Sequence, residues 1–95
     1  MISKRGLLTL TAKHPDTEIE CLDWYRIAAA ATWTRFDDVR ADYPSVDLVG
    51  QVLIFNIGRN RYRLIATVFF ATHEIYIKAL LTHKEYDREE WKKWC

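Results

Sequence analysis

The sequence contains few of the residues that would place it in a specialised class of protein. Of its 95 residues, two are cysteines, two are prolines and three are glycines. Cys21 and Cys95 form neither a CxxC motif nor a Cys/His cluster with metal-ligand spacing, so no metal site is predicted. We expect free thiols, with a disulfide between the two as the alternative. Internal repeats and low-complexity tracts are also absent from the sequence.

Long apolar runs are missing as well. The apolar runs, among them residues 28–31, 64–66 and 68–71, are far shorter than the roughly 20 residues that a membrane-spanning helix needs. Residues 1–5 are not followed by the unbroken apolar stretch and small-residue cleavage site of a signal peptide. The sequence therefore predicts a cytoplasmic protein that does not enter a membrane.

The composition is sufficient for one globular domain over residues 1–95. Hydrophobic residues make up 49% of the chain and aromatic residues 14%, which allows a real core at this length. The formal net charge of +1 is unevenly distributed, because residues 14–49 hold eight acidic and three basic side chains. Residues 50–70 carry three arginines and no acid. This local basic segment favours a small phosphate-binding site over a long nucleic-acid groove, and solvated surface arginines are the alternative.

The first half of the chain has mainly helical periodicity. Pro15 interrupts the pattern because proline disfavours helix in the residue before it. Thr34 is a candidate N-cap for a short helix, which Tyr43-Pro44-Ser45 would end. The predicted elements are a short strand over 1–3, helices over 4–13 and 16–32, a short helix from Thr34, and a loop over 45–50.

The second half alternates apolar and polar residues and predicts a three-stranded antiparallel meander. Its strands cover 51–57, 61–70 and 75–81, with turns over 58–60 and 71–74. A helix over 82–94 follows, and Thr82 and Glu85 have the spacing of a capping box at its start. His83, Lys84 and Tyr86 therefore lie in the first turn of a helix, directly after the third strand.

Arg63 needs an explanation because a charged residue in a central strand requires a partner. With regular alternation, Arg63 shares a face with Arg61, and Lys78 points away from the apolar residues Ile75, Ile77, Ala79 and Leu81. We expect one sheet face to pack on the long helix and the other to carry Arg63, Lys78 and Asn56. The register of the strands stays open at this point.

These residue types fit metal-independent RNA cleavage. The reaction needs a base for the ribose 2′-hydroxyl, an acid for the leaving 5′-oxygen and cations for the charge on phosphorus. His83 suits proton transfer near neutral pH, and Arg63 can hold a phosphate through two parallel hydrogen bonds. Tyr86 can donate a proton or stack on an unpaired base, and Lys84 and Lys78 add positive charge.

Each signal also has an ordinary structural interpretation. A histidine after a helix cap is more often a surface residue than a catalytic one, and Tyr86 is equally suited to anchoring its helix on the sheet. His14 and His73 lie in predicted loops and receive no functional role. The four tryptophans fit a core or an interface better than a ligand cage, namely Trp24, Trp33, Trp91 and Trp94.

Two segments of the second half resemble the HigB toxins of type II toxin–antitoxin modules. They are residues 52–66, VLIFNIGRNRYRLIA, and residues 75–87, IYIKALLTHKEYD. The specific parts are FNI, the glycine-asparagine turn, YRLIA and THKEYD. The first half resembles the same group more loosely, through His14-Pro15, Trp24-Tyr25, Trp33 and Tyr43-Pro44-Ser45.

The resemblance implies a compact RelE-like fold of the α+β class, with a small antiparallel sheet, helices on one of its faces and a C-terminal helix. It implies an endoribonuclease that cleaves messenger RNA, commonly in the A site of translating ribosomes, and thereby inhibits translation and growth. It also implies a HigA-type helix-turn-helix antitoxin that blocks the toxin in a hetero-oligomer and represses the operon. No cofactor is expected.

The resemblance also suggests roles for individual residues. Arg63 resembles the strand arginine that RelE-like nucleases use on the scissile phosphate, and Tyr86 resembles their late tyrosine. His83 and Lys84 belong to the most distinctive motif of the HigB group. The predicted catalytic residues are Arg63, His83, Tyr86 and Lys84, and the predicted RNA-binding residues are Asn56, Arg59, Asn60, Arg61 and Lys78.

Two other functions stay open. RelE-like domains include non-catalytic inhibitors that bind DNA gyrase, although those inhibitors do not resemble the THKEYD segment. A degraded toxin that retains only antitoxin binding is the third hypothesis. The acidic stretch 14–49 fits either a basic antitoxin or an ordinary solvated surface.

Overall fold

The computed structural model describes residues 4–57, 61–72 and 74–94, which form three helices, a four-stranded sheet and a short C-terminal helix. The helices are α1 (Lys4–Thr11), α2 (Glu18–Ala30), α3 (Phe36–Asp42) and α4 (His83–Asp87). The strands are β1 (Asp47–Val49), β2 (Val52–Ile57), β3 (Tyr62–Phe69) and β4 (Glu74–Thr82). Short 3₁₀ turns cover Pro15–Thr17, Phe70–Thr72 and Glu90–Trp94. The predicted α+β class and the β2–β3–β4 meander are confirmed.

The strand order is β1-β2-β3-β4, with every neighbouring pair antiparallel. The prediction of a loop over 45–50 is wrong, because Asp47–Val49 pairs with β2 as an edge strand. The predicted strand over 1–3 and the predicted turn over 58–60, with Arg59 and Asn60, lie outside the described residues. None of the helices in the described part of the chain has the length and apolar composition needed to cross a bilayer.

Helix α3 begins two residues later than Thr34, so the prediction of Thr34 as its N-cap is wrong. Arg35 occupies the N-cap position without a side-chain capping bond. Asp38 instead reaches back to Thr34 and accepts hydrogen bonds from its backbone N–H and its hydroxyl, both at 2.9 Å. These bonds lower the pKa of the Asp38 carboxyl, because they favour its ionised form.

The two faces of the sheet are covered by different parts of the chain. On the first face, which we call the helix face, Leu53, Phe55 and Leu64 pack against α1, α2 and α3. Buried Cys21 is a free thiol within this core, and burial raises its pKa. On the second face, which we call the opposite face, Val52, Ile54 and Ile65 pack against Trp91. The central strand β3 is therefore covered on both sides.

The C-terminal segment reaches the opposite face because its helix stops early. A continuous helix over 82–94 is predicted, but α4 ends at Asp87 and a 3₁₀ turn follows over Glu90–Trp94. Glu89, between the two, has a φ of 61°, which is the left-handed region that L-residues seldom adopt. This reversal brings Trp91 onto the sheet, where it is only 4% exposed.

A β-bulge in β4 changes the predicted placement of Lys78. Ile65 pairs with Ala79 and Ala66 pairs with Ile77, so Lys78 is the extra residue between them. The alternation is interrupted there, and Ile75 and Ile77 pack with the helix face, while Ala79 and Leu81 pack with the opposite face. The prediction that all four apolar residues share one face is therefore wrong.

The predicted capping box at the start of α4 is present. The Thr82 hydroxyl accepts from the Glu85 N–H at 3.2 Å, and the Glu85 carboxylate accepts from the Thr82 N–H at 3.0 Å. Thr82 also ends β4, where it pairs with Tyr62 of β3. The cap therefore fixes the direction of α4 relative to the central strand.

We expect Thr82→Ala to lower the free energy of unfolding by about 1 kcal/mol, because it removes the acceptor for the Glu85 N–H. Chemical denaturation measures this change. Thr82→Ser keeps the acceptor and is the matched control. Equal losses in the two variants would show that the hydroxyl does not stabilise α4.

Candidate active site

Asn56 and Arg63 are direct cross-strand neighbours near the end of the sheet. They pair between β2 and β3, and Leu81 of β4 lies on the other side of Arg63. Paired residues project from the same face with their Cβ atoms about 4.5–5.5 Å apart. The next pair inward is Ile54 and Ile65, which is buried. Asn56 and Arg63 are therefore the polar pair that directly adjoins the apolar part of the opposite face.

Arg63 is half-buried and held from two sides. Its Nη1 donates to the carbonyl oxygen of Tyr62 at 3.2 Å. Its guanidinium carbon lies 5.5 Å from the centroid of the Tyr86 ring, which is within cation–π range. Asn56 is anchored beside it, with its amide Nδ2 3.5 Å from the carbonyl oxygen of Ser45. This arrangement holds a cation with a planar, multiple-donor head at the rim of the sheet.

Tyr86 is positioned by Trp91. The two rings are stacked, with centroids 5.2 Å apart and an interplanar angle of 2°. The Trp91 indole N–H donates to the carbonyl oxygen of Tyr86 at 3.1 Å. Because Trp91 is itself buried against Val52, Ile54 and Ile65, the sheet supports the tyrosine ring through the tryptophan.

The surroundings of Tyr86 favour the protonated, neutral form of its hydroxyl. Partial burial raises its pKa above the usual value of 10, and the negative charge of Asp47 raises it further. The positive charge of Arg63 acts in the opposite direction. Asp47 comes close because it pairs with Ile54, which places it on the same face as Arg63. A neutral tyrosine donates a hydrogen bond or a proton, as a general acid must.

His83 lies at the start of α4 and forms a pair with Asp87. Its Nδ1 is 3.3 Å from the Asp87 carboxylate, and both side chains are largely exposed. If Nδ1 carries the proton and donates it to Asp87, then Nε2 keeps its lone pair and is a base. His83 and Tyr86 are three residues apart in one helix, so their side chains are neighbours on its surface.

The other predicted residues of α4 and the sheet lie further from this group. Lys84 is exposed, and because it precedes Tyr86 by two positions, it lies on another side of α4. Lys78 lies at the bulge with its Nζ 5.8 Å from the centroid of the Tyr76 ring. Tyr76 pairs with Thr67, four residues along β3 from Arg63, which is about 13 Å.

Arg61 belongs to a different cluster from Arg63. Its guanidinium lies 3.4 Å from the Asp16 carboxylate, which also accepts from the Tyr62 hydroxyl at 3.2 Å. The ring of His14 is 4.8 Å from that of Tyr62. Tyr62 packs with the helix face, so the prediction that Arg61 and Arg63 share a face is wrong. Arg61 precedes the first residue of β3, where the alternation of the strand does not yet apply.

Sequence reasoning missed Asp47 and the role of Trp91. Asp47 lies within the predicted loop over 45–50, and a three-residue edge strand is too short for alternation to reveal it. The prediction of a core or interface role for Trp91 is confirmed by its burial, but its stacking on Tyr86 depends on the chain reversal at Glu89. In the described residues, no three His, Cys, Asp or Glu side chains come together as metal ligands.

A family profile described as the RelE-like toxic component of a toxin–antitoxin system matches residues 17–89. The chain belongs to the HigB toxin family. The matched segment contains β1 to β4 and α4, so the Arg63–Tyr86 group lies within the HigB region, as the resemblance predicted.

Individual HigB proteins show the same relationship along nearly the whole chain. The mRNA interferase toxin HigB of Escherichia coli K12 is 30% identical over 90 residues, covering 92% of this chain and 86% of that protein. The mRNA interferase HigB of Shigella flexneri has the same identity and coverage. The mRNA interferase HigB of Escherichia coli O6:H1 is 23% identical over 91 residues, covering 93% of this chain and 88% of that protein.

The electrostatics around Tyr86 predict opposite effects of two substitutions on its pKa. Asp47→Asn should lower the pKa, because it removes a negative charge that disfavours the tyrosinate. Arg63→Gln should raise it, because it removes a positive charge that favours the tyrosinate. Carbon NMR of chains with ring-labelled tyrosine, assigned with Tyr86→Phe, measures both shifts. Asp23→Asn on α2 is the control, and a shift of the same sign in the two test variants would contradict the described geometry.

Proposed function

We propose that this chain is an mRNA interferase: an endoribonuclease that cleaves messenger RNA as the toxin of a toxin–antitoxin module. The observation that carries this proposal is the placement of the Arg63 guanidinium 5.5 Å from the Tyr86 ring. His83 lies one turn away on the same helix. A cation of the type that binds phosphate thus adjoins two side chains that are capable of proton transfer. Three HigB relatives that bear the name mRNA interferase support the choice of substrate.

The proposed reaction is an internal displacement at phosphorus. The 2′-oxygen of one ribose attacks the adjacent phosphorus, and the bond from phosphorus to the 5′-oxygen of the next nucleotide breaks. The products are a 2′,3′-cyclic phosphate and a free 5′-hydroxyl. One proton leaves the 2′-hydroxyl for the base, and one proton moves from the acid to the 5′-oxygen. The nucleophile is part of the substrate, so the protein supplies proton transfer and charge stabilisation.

His83 is the proposed base and Tyr86 the proposed acid. The contact between His83 Nδ1 and Asp87 favours the tautomer whose Nε2 accepts a proton. Tyr86 keeps its proton at neutral pH, as tyrosine ordinarily does, and burial and the charge of Asp47 raise its pKa further. The stack on Trp91 limits the movement of the Tyr86 ring, which preserves the geometry that proton transfer needs.

Arg63 is the proposed stabiliser of the charge on phosphorus. Its position at the edge of an apolar surface strengthens its interaction with a phosphate, because less water screens the two charges. Asn56, its cross-strand neighbour, would donate to a phosphate or a base. The proposed contacts to the rest of the RNA come from Lys84, Lys78, Arg61, Arg59 and Asn60, of which Arg59 and Asn60 lie outside the described residues.

We place cleavage in the A site of translating ribosomes, in the cytoplasm and without a metal or cofactor. The proposed partner is a HigA-type helix-turn-helix antitoxin that forms a hetero-oligomer with this chain. The exposed acidic side chains of α2 and α3, among them Glu20, Asp23 and Asp37, support a partner with a basic surface.

We expect Arg63→Ala to lower the cleavage rate by about 10²–10³-fold, as for the loss of one charge-stabilising donor. The experiment maps new 5′ ends of transcripts after brief induction of the chain without antitoxin. Arg26→Ala, on the exposed surface of α2, is the matched control and should cleave like the wild type.

New 5′ ends confined to translated regions would support cleavage on ribosomes, and ends in untranslated RNA would indicate a free ribonuclease. Growth arrest without new ends would contradict the nuclease proposal and favour binding of a target such as DNA gyrase. If Arg63→Ala cleaved at the wild-type rate, Arg63 would have no role in the reaction.

We expect His83→Ala and Tyr86→Phe each to lower the cleavage rate at saturating RNA by about 10²-fold or more, because each removes a proton-transfer group. Tyr86→Phe keeps the ring that stacks on Trp91, so thermal unfolding should change little. Single-turnover cleavage in a purified translation system measures the rate. A Tyr86→Phe variant that cleaves at the wild-type rate would show that the ring acts by stacking and not as the acid.

A further inference from the structure

A second aromatic group lies on the opposite face, toward the other end of β3 from Arg63. The rings of Phe69 and Tyr76 meet edge to face, with centroids 5.9 Å apart. Phe69 is 40% exposed and Tyr76 is 43% exposed, so the core does not account for them. Phe69 shares the alternation of β3 with Arg63, Ile65 and Thr67. We propose that Phe69, Tyr76 and Lys78 form a stacking platform for unpaired bases of the RNA that is cut at Arg63.

The bulge in β4 places a cation at this platform. Lys78 is the unpaired residue of the bulge, and its Nζ lies 5.8 Å from the centroid of the Tyr76 ring. Single-stranded RNA binds to exposed sheet faces that carry aromatic rings and a neighbouring cation. Its bases stack on the rings and its phosphates bind the cation. The Tyr76 hydroxyl donates to the Glu74 carboxylate, which fixes the ring and leaves its face available.

Between Arg63 and the platform, two more lysines lie beside aromatic rings. Lys92 Nζ lies 5.9 Å from the centroid of the Trp91 ring, and Lys93 Nζ lies 5.0 Å from that of Trp94. Trp91 covers Ile54 and Ile65 between the two ends of the face. The Tyr76 row is about 13 Å from Arg63 along β3, which corresponds to about four steps between nucleotides at the roughly 3.4 Å rise of a stacked strand.

The charge of this surface favours RNA over a protein partner. In the described part of the chain, Lys78 and Lys93 form no ion pair with a carboxylate, whereas Lys92 pairs with Glu89 at 3.0 Å. A phosphate chain would supply the missing counter-charges at Lys78 and Lys93. Glu74, which pairs with Phe69, is the acid at the platform, and it is already engaged by the Tyr76 hydroxyl. Further exposed acids that suit a basic partner lie on α2 and α3. The proposal rests on the proposed function, because it takes the RNA substrate as given.

The test compares RNAs of two lengths by fluorescence anisotropy with the full chain freed of its antitoxin. One RNA has roughly 12 nucleotides, within the range of single-strand site sizes, and the other is a trinucleotide, which as a stacked strand is too short to span from Arg63 to Tyr76. Both carry 2′-O-methyl riboses, which lack the nucleophile and are not cut. Cleavage of a translated message by the wild type, measured in parallel, tests the proposed function.

We expect Tyr76→Ala to weaken binding of the longer RNA about tenfold and to leave the trinucleotide unchanged. Tyr76→Phe keeps the ring and should bind like the wild type. Lys78→Gln should weaken the longer RNA and reduce the salt dependence of its binding by about one phosphate contact. Ile19→Ala, at a 77% exposed apolar residue of α2, is the matched control.

The outcomes separate the two proposals. If the wild type cleaves messages but Tyr76→Ala and Lys78→Gln bind both RNAs like the wild type, the platform is overturned and the nuclease stands. The platform is also overturned if the wild type cleaves on ribosomes but does not bind the longer RNA. It is overturned as well if Tyr76→Ala weakens binding of the antitoxin and leaves binding of the RNA unchanged. If the wild type neither cleaves nor binds, the proposed function fails and the platform fails with it.

Discussion

Burial of the central strand on both faces is the constraint on which the rest of the structure depends. Leu64, Ile65 and Ala66 of β3 are fully buried, and β3 is hydrogen-bonded to strands on both sides. A charge in the middle of this strand would lose its hydration without compensation. Arg63 lies where the cover ends, and its guanidinium contacts the Tyr62 carbonyl oxygen and the Tyr86 ring. The position of the candidate site thus follows from where the core stops.

The same constraint explains the shape of the C-terminal segment. The opposite face of β2 and β3 carries Val52, Ile54 and Ile65, which need an apolar cover. A straight helix after Thr82 would leave that face, so the chain reverses at Glu89 with a φ of 61°. This conformation costs about 1–3 kcal/mol for a residue other than glycine. Burial of Trp91 offsets that cost, and it also gives Tyr86 the ring on which it stacks.

Periodicity was sufficient for the elements that have a regular environment. It predicted the three helices of the first half, the β2–β3–β4 meander and the capping box of Thr82 and Glu85, because each depends on residues close in sequence. It also predicted that Arg63 and Asn56 would share a face. The resemblance to HigB toxins, confirmed by the family match, came from the strand and cap motifs.

The errors arose where tertiary contacts override local pattern. Edge strand β1 has three residues and too few alternations to detect. The bulge at Lys78 inserts one residue without changing composition, so only pairing reveals it. The reversal at Glu89 interrupts a lysine- and glutamate-rich segment that has good helix propensity. Asp47 reached the candidate site through the missed strand, and so no sequence signal indicated its effect on Tyr86.

The opposing charges around Tyr86 suit the proposed reaction. A general acid must carry its proton at neutral pH and must also be more acidic than the group that it protonates. Tyrosine meets the first condition at its ordinary pKa, and burial and Asp47 raise the pKa of Tyr86 further. The second condition holds because the leaving alkoxide is a far stronger base than a phenolate, so transfer of the proton from Tyr86 to the alkoxide is favourable. Arg63 limits how far the pKa of Tyr86 rises, and so the cation proposed to stabilise the phosphate also keeps the tyrosine acidic enough to release its proton.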